Sequence, residues 1–149
     1  MGVSSRCAVA VHALTLLARD GGGQLLTSAE IAESLDSNPV VVRRVLGRLR
    51  DASLVLSSEG SGGGWRLAHS PQAVTLRDAY CAVEEGPVLS LHAHPPSTSC
   101  VVGRNVQGVL EEEFTAAEWA MRERLGRTTI ADVLSRVLAG DRQSTPQGP

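Results

Sequence analysis

The chain has 149 residues, which fits one domain, or a small domain with an appended helical arm. Hydrophobic residues make up 42% of the chain and only four residues are aromatic, so we expect a core of Leu, Val and Ala. No apolar run reaches the ~18 residues of a membrane span, and the first twenty residues lack a basic segment followed by a small-residue cleavage site. We therefore expect a cytoplasmic protein without a membrane partner.

The formal net charge of -2 is unevenly distributed along the chain. Residues 38–66 contain five Arg against two acidic residues, whereas residues 105–141 contain seven acidic residues against four Arg. Phosphate binding depends on where positive charge lies, so the total charge does not exclude a nucleic-acid partner. The three cysteines are odd in number and widely spaced, which argues against a secreted disulfide framework.

The chain begins with a predicted buried helix. Residues 4–19 are apolar on nearly every face, a pattern typical of a helix packed inside a protein or against a partner. Ser4 or Ser5 is the expected N-terminal cap, and the run Gly21–Gly23 is the expected end.

Two further helices then follow in the order of a helix-turn-helix. Thr27 and Glu30 have the spacing of a capping box for a short helix. Asn38, an N-cap residue followed by Pro39, begins the next helix, at about residues 39–52. The expected buried face of this helix has the i, i+3, i+4, i+7 spacing: Val42, Val45, Leu46 and Leu49. Four of the fourteen basic residues of the chain also lie on it: Arg43, Arg44, Arg48 and Arg50.

A glycine-rich hairpin is predicted directly after the basic helix. Residues 54–56 indicate a strand, residues 59–64 a turn, and residues 65–68 the returning strand. Helix, turn, helix and hairpin in this order are typical of a winged helix-turn-helix, which places its second helix in the DNA major groove.

In the second half of the chain, the sequence predicts one helix before a loop and two helices after it. Residues 75–84 form a capped helix, residues 85–99 a loop, and residues 100–125 a long helix that extends about 37 Å. Its apolar stripe is typical of a dimerisation arm: Val102, Val106, Val109, Leu110, Phe114, Ala117, Met121 and Leu125. Thr129 and Asp132 begin a last helix that we expect to end at Gly140, before a disordered tail at 141–149. The expected division is thus a DNA-binding domain at 1–84, a loop at 85–99 and a dimerisation arm at 100–140.

Several segments together resemble one family of regulators. They are LTSAEIAESLDSNPVVVRRVLGRLRDASLV, the hairpin GSGGGWRLA, TLRDAYCAVE, and CVVGRNVQGVLEEEF followed by TTIADVL. Their order is similar to the Rrf-two (BadM-like) family of bacterial winged-helix transcription regulators, which includes the IscR-, NsrR- and CymR-type proteins, over about residues 3–138. NPVVVRR together with C-x-V-G-R-N is most similar to the cluster-free YwnA-type branch. Ser53 stands where members often have Gly, and Glu59 where a basic residue is common.

The resemblance implies a homodimeric regulator, here taken as a repressor, that reads two half-sites of a pseudo-palindromic operator in double-stranded DNA. Helix N-terminal N–H groups at Thr27 suit a phosphate, and the start of the basic helix suits base edges. The expected DNA contacts are Thr27, Asn38, Pro39, Val40, Arg43, Arg44, Arg48, Ser61, Gly62 and Gly63. An adaptor that binds proteins through the same fold, without DNA, is the alternative.

Cys100 is the candidate sensor residue. It lies at the predicted N-terminus of the long helix, where the helix dipole and unpaired N–H groups lower a thiol pKa, and Arg104 adds positive charge one turn on. Cys7 lies on the apolar first helix and Cys81 on the inner or dimer side of the helix at 75–84, and both are expected to be inert core thiols.

A metal cofactor is not expected in this chain. Family members with an iron–sulfur cluster carry three closely spaced cysteines and a further ligand, whereas Cys100 alone matches that region here. His92, His94 and Cys100 have no spacing of an established zinc site. Thiol oxidation at Cys100 is the expected control, and a small ligand or a metal is the alternative signal.

No enzyme is predicted. The sequence shows no nucleophile–base constellation, and GSGGGW lies in a hairpin and not before a helix, where a phosphate-binding loop would be.

Overall fold

A computed structural model of the chain describes residues 4–20 and 24–144. These residues form six helices and one antiparallel hairpin. In chain order the elements are α1 (Arg6–Arg19), α2 (Ser28–Leu35), α3 (Pro39–Asp51), β1 (Val55–Ser58), β2 (Gly64–Leu67), α4 (Leu76–Val83), α5 (Val101–Leu125) and α6 (Ile130–Ser144).

The N-termini of α2 and α3 are set by the caps that the sequence predicts. The Glu30 N–H donates to Thr27 Oγ1 at 3.2 Å, and the Thr27 N–H donates to Glu30 Oε2 at 2.7 Å. Asn38 Oδ1 accepts from the Val40 N–H at 2.8 Å, and Pro39 occupies the first turn. Such caps satisfy N–H groups that have no partner within the helix.

The ends of α1 follow the sequence prediction only in part. Ser5 occupies the N-cap position without a side-chain capping bond, while Ser4 Oγ accepts from the Arg6 N–H at 3.2 Å. The helix ends at Arg19, and the Gly21–Gly23 run that was expected to end it lies outside the described residues.

One core joins α1, the helix-turn-helix, the hairpin and α6. The predicted inner face of α3 is buried in full. Leu14 of α1, Ile31 of α2, Val55 of β1 and Ile130 of α6 are each completely inaccessible to solvent. Burial of an aliphatic side chain contributes about 1.5–3 kcal/mol, so this shared core holds α2 and α3 in a defined relation to the hairpin.

The hairpin is shifted by a residue or two from its predicted strands. Val55 pairs with Leu67 and Ser58 with Gly64. Leu54 and Ala68 lie outside the strands, but the Ala68 N–H still donates to the Leu54 carbonyl at 3.0 Å. Local propensity identifies such strands, whereas the cross-strand register decides where pairing ends.

Leu26 pairs with β2 of the hairpin through an isolated antiparallel β-bridge. The Leu26 N–H donates to the Trp65 carbonyl at 3.1 Å, and the Trp65 N–H donates to the Leu26 carbonyl at 2.7 Å. A Cβ on Gly64 would lie 2.6 Å from the Leu26 oxygen, so only glycine fits there.

The two C-terminal helices differ in how they pack. Within the described residues α5 has no buried side chain and packs on α4, whereas α6 returns against α1. The helix α6 does not end at Gly140: it continues to Ser144, whose hydroxyl donates to the Gly140 carbonyl at 3.0 Å. An interior glycine weakens a helix by only about 1 kcal/mol, which explains why it does not end the helix. The expected disordered tail from residue 141 is corrected accordingly, and residues 145–149 lie outside the described part.

The described helices contain no segment both long and apolar enough to cross a membrane.

Candidate nucleic-acid interface

The N-terminal half of α3 presents polar and basic side chains to solvent. Asn38, Pro39, Val40, Arg43 and Arg44 are all exposed, while the opposite face of the helix is buried in the core. The side-chain oxygen of Asn38 caps the helix, so the exposed end begins at a defined residue. An exposed N-terminal end of the second helix is what helix-turn-helix proteins use to contact base edges.

The three arginines predicted to contact DNA fall into two groups. Arg43 and Arg44 form no ion pair with any residue in the ranges 4–20 and 24–144. Arg48 Nη1, in contrast, lies 2.6 Å from Glu85 Oε1. The hydrogen bond and charge of Arg48 lower the pKa of the Glu85 carboxyl, so the pair stays ionised at neutral pH.

Arg50 has a structural role that the sequence did not reveal. Its guanidinium carbon lies 5.6 Å from the centre of the Trp65 ring, and its Nη1 donates to Ser57 Oγ at 3.5 Å. Arg50 therefore links the end of α3 to both strands of the hairpin. A cation–π contact at an exposed site contributes about 0.5–1 kcal/mol and holds the hairpin relative to the helix.

The backbone donors at Thr27 are partly used within the protein. Its N–H and its hydroxyl both donate to Glu30 Oε2, at 2.7 and 2.9 Å. The hydrogen bond from the N–H, and next that from the hydroxyl, lower the pKa of the Glu30 carboxyl and keep it negatively charged. A carboxylate thus already occupies the position that the sequence prediction gave to a phosphate oxygen.

The tip of the hairpin is tight and rich in glycine. Gly62 has a φ of +76°, which favours glycine, and a Cβ on Gly63 would collide with the Ser58 carbonyl. Ser61 and Gly62 are exposed, and Gly63 is half-buried. Arg66 is exposed on β2 between the half-buried Trp65 and Leu67. The alternation of the strand is the signal that identifies this additional basic residue on the hairpin.

Cys100 is the exposed N-cap residue of α5. Its thiol makes no formal capping hydrogen bond, but the N–H groups of Gly103 and then Val102 lower its pKa. Arg104, which was expected to contribute to this shift, is not among its causes, and its Nη1 donates to the Thr98 carbonyl at 3.0 Å. The pKa shift at Cys100 therefore has the helix backbone as its cause.

The other two thiols differ from each other. Cys7 is half-buried on α1 and packs against the core, as expected, whereas Cys81 is exposed on α4 and does not lie on its inner side. Burial, then the charges of Glu84 and Cys81, raise the pKa of the Cys7 thiol. Cys7 is accordingly a poorer nucleophile than Cys100 at neutral pH.

The fold and this exposed basic helix define the class as a winged helix-turn-helix protein. Residues 3–136 match the Rrf2 family, described as iron-dependent transcriptional regulator, and the chain belongs to that family of transcription regulators.

Three relatives illustrate the similarity. The chain is 33% identical over 135 residues to the candidate HTH-type transcriptional regulator YwnA of Bacillus subtilis, a match that covers 91% of this chain and 98% of YwnA. A crystal structure described as that of a candidate DNA-binding protein is 33% identical, with a TM-score of 0.68 over 87% of this chain and 99% of its own. The fold is also that of T. potens IscR, at 24% identity and a TM-score of 0.65 over 99% and 94% of the two chains.

The donor set of this chain does not fit the iron in the description of the family. Across the described residues, no three His, Cys, Asp or Glu side chains come together in an arrangement that could hold a metal ion. Cys100 begins α5, while Cys7 and Cys81 lie on α1 and α4. Iron–sulfur clusters need several thiolates at one place, and this chain provides one at the start of α5.

Proposed function

We propose that this Rrf2-family regulator is a homodimeric repressor that binds a pseudo-palindromic operator in the bacterial cytoplasm and has no enzymatic activity. The observation that supports this most directly is the pair Arg43 and Arg44, exposed on a helix whose other face is fixed in the core. Arginine forms bidentate hydrogen bonds to guanine and phosphate, so these side chains suit sequence reading and backbone contact.

The remaining contacts of the proposed interface differ in the part of the DNA that they reach and in their expected strength. Asn38, Pro39 and Val40 lie where base edges are read, and the tip Ser61–Gly63 approaches the minor groove. Arg48 reaches a phosphate only after it leaves Glu85. At Thr27, the carboxylate of Glu30 opposes a phosphate, which leaves this the weakest of the proposed contacts.

The open face of α5 supports the proposed dimer. The predicted stripe divides lengthwise: Val106, Leu110, Phe114, Met121 and Leu125 are half-buried, while Val102, Val109 and Ala117 are exposed. Val102 and Val109 are 64% and 59% exposed, one heptad apart on an arm of 25 residues. A second copy that covers this edge would bring two α3 helices to half-sites about one helical turn apart.

The test is binding to the promoter region of the protein's own gene at several salt concentrations. Arg43→Ala/Arg44→Ala should lower the affinity at least about tenfold and reduce the salt slope, since each phosphate or guanine contact contributes about 1–3 kcal/mol. Arg136→Ala/Arg142→Ala is the matched control, because it removes the same charge from two exposed residues of α6. Equal loss in both variants, or no binding by the folded protein, contradicts the proposal and favours the protein-binding adaptor.

Thiol oxidation at Cys100 is the proposed control of this activity. The thiolate attacks one oxygen of a peroxide: the S–O bond forms, the O–O bond breaks, and hydroxide leaves, to give a sulfenic acid. Mild peroxide should then change operator affinity in the wild-type protein and not in Cys100→Ser. A response that persists in Cys100→Ser would remove Cys100 from the mechanism.

A further inference from the structure

A groove of about 450 Å³ lies between α1, α2 and α6, apart from the exposed face of α3. Its walls are mainly aliphatic and come from α1 and α6: Val11, Leu16, Val133, Leu134 and Val137. Small-molecule sites have volumes of roughly 300–1,000 Å³ and mostly apolar walls with a few polar groups. This groove has the size and lining of such a site.

The polar groups of the groove are neutral or neutralised. His12 Nε2 and Ser34 Oγ are hydrogen-bonded at 2.9 Å, and either can turn a donor or an acceptor to a ligand. Arg19, the one charged residue of the lining, holds Asp20 through two hydrogen bonds of 2.9 and 3.1 Å. An ionic ligand would meet no uncompensated charge here, whereas an uncharged ligand would lose little on leaving water.

We propose that this groove binds a small uncharged molecule with an aromatic or branched aliphatic body and one hydroxyl or carbonyl group. The body lies against Val133, Leu134 and Val137, and the polar group hydrogen-bonds to His12 or Ser34. The groove has no lining residue from α5, which carries the edge proposed to meet the second copy. The groove therefore lies away from the proposed dimer edge and stays open to a compact ligand in the dimer.

The position of Ser34 links the groove to DNA binding, a consequence that rests on the proposed function. Ser34 is the penultimate residue of α2, and His12–Ser34 is the side-chain hydrogen bond that joins α1 to α2 among the described residues. A ligand that engages this pair acts on α2, which packs on the recognition helix α3. The ligand thus changes operator affinity by favouring one position of the helix-turn-helix.

The test measures the binding of 1-naphthol to the full chain by titration calorimetry, in the absence of DNA. We expect one saturable site per chain. Val137→Trp should fill the groove and weaken binding at least tenfold, while Val88→Trp, at a residue of the same 55% exposure in the loop, should leave it unchanged. His12→Ala should weaken binding about two- to tenfold, the effect of one lost hydrogen bond.

Three results would overturn the inference. The first is binding that does not saturate up to about 1 mM 1-naphthol, a concentration at which even a weak specific site is occupied. The second is equal binding by Val137→Trp and the wild-type protein, and the third is a change of oligomeric state in Val137→Trp, which would assign the groove to a second copy. Because binding is measured without DNA, failure here leaves the proposed function standing. Operator binding that fails while naphthol still binds removes the proposed function alone.

Discussion

Arg48 on the recognition helix is held 2.6 Å from Glu85, the first residue of the loop that leads to α5. The two residues are 37 positions apart in the chain, and the Glu85 side chain is 72% exposed. The pair therefore ties a candidate phosphate contact to the segment that precedes Cys100. If Arg48 contacts DNA as proposed, Glu85 and a DNA phosphate would compete for the same guanidinium.

Glu85→Gln should raise operator affinity by releasing Arg48. An exposed ion pair contributes about 0.2–1 kcal/mol, so we expect an increase of about 1.5- to 5-fold at low salt and a steeper salt dependence. Since Arg48 lowers the Glu85 pKa, the pair is intact above that pKa and is lost only as the pH falls through it. The measurement is a binding titration at neutral pH.

The Arg48→Gln background provides the control for this effect. There Glu85→Gln should change affinity little, because the cation that it restrains is absent. An equal increase in both backgrounds would mean that Glu85 acts by general repulsion of DNA and not through Arg48.

Ser53→Gly should stabilise the protein. Ser53 has a φ of +60°, and its N–H donates to the Arg50 carbonyl at 2.8 Å in the turn that ends α3. The left-handed conformation costs a residue with a Cβ about 1–2 kcal/mol, and glycine removes this cost, although it also adds unfolded-state entropy. We expect a net gain of about 0.5–1 kcal/mol, measured by thermal and urea unfolding.

Ser58→Gly is the matched substitution in an extended strand, where glycine weakens the pairing. It should lower stability. A melting temperature that falls in both variants would show that the turn at Ser53 carries no strain.

Val109→Glu should dissociate the proposed dimer. The substitution places a carboxylate on the exposed apolar edge of α5, where a second copy would have to desolvate it. Sedimentation should give monomers at micromolar concentration, with weaker operator binding. Thr115→Glu, at an exposed residue on another face of the same helix, should remain dimeric.

Cys100 should react with iodoacetamide faster than Cys7 near pH 7. Cys100 is exposed and its pKa is lowered by backbone N–H groups, whereas burial raises the pKa of Cys7. Because the thiolate is the nucleophile, Cys100 should be labelled before Cys7, as followed by peptide mass spectrometry. A faster reaction at Cys7 would contradict the assigned environments.

Helix starts and buried faces were predictable because their signals are local. The Thr27–Glu30 capping box spans three residues, and the Val42, Val45, Leu46 and Leu49 face follows from helical periodicity alone. The same reasoning predicted that α6 ends at Gly140. This end was wrong, because a glycine is only a weak stop signal and the helix continues to Ser144.

The candidate site was predictable only as a set of residue types. The sequence by itself determined which helix is basic, and which of its faces is buried. Only the tertiary structure decided that Arg48 meets Glu85, that Arg50 lies over Trp65, and that Arg43 and Arg44 form no ion pair with the residues that the structure describes. These partners are brought together by packing across the shared core. Local periodicity carries no information about such contacts between distant segments.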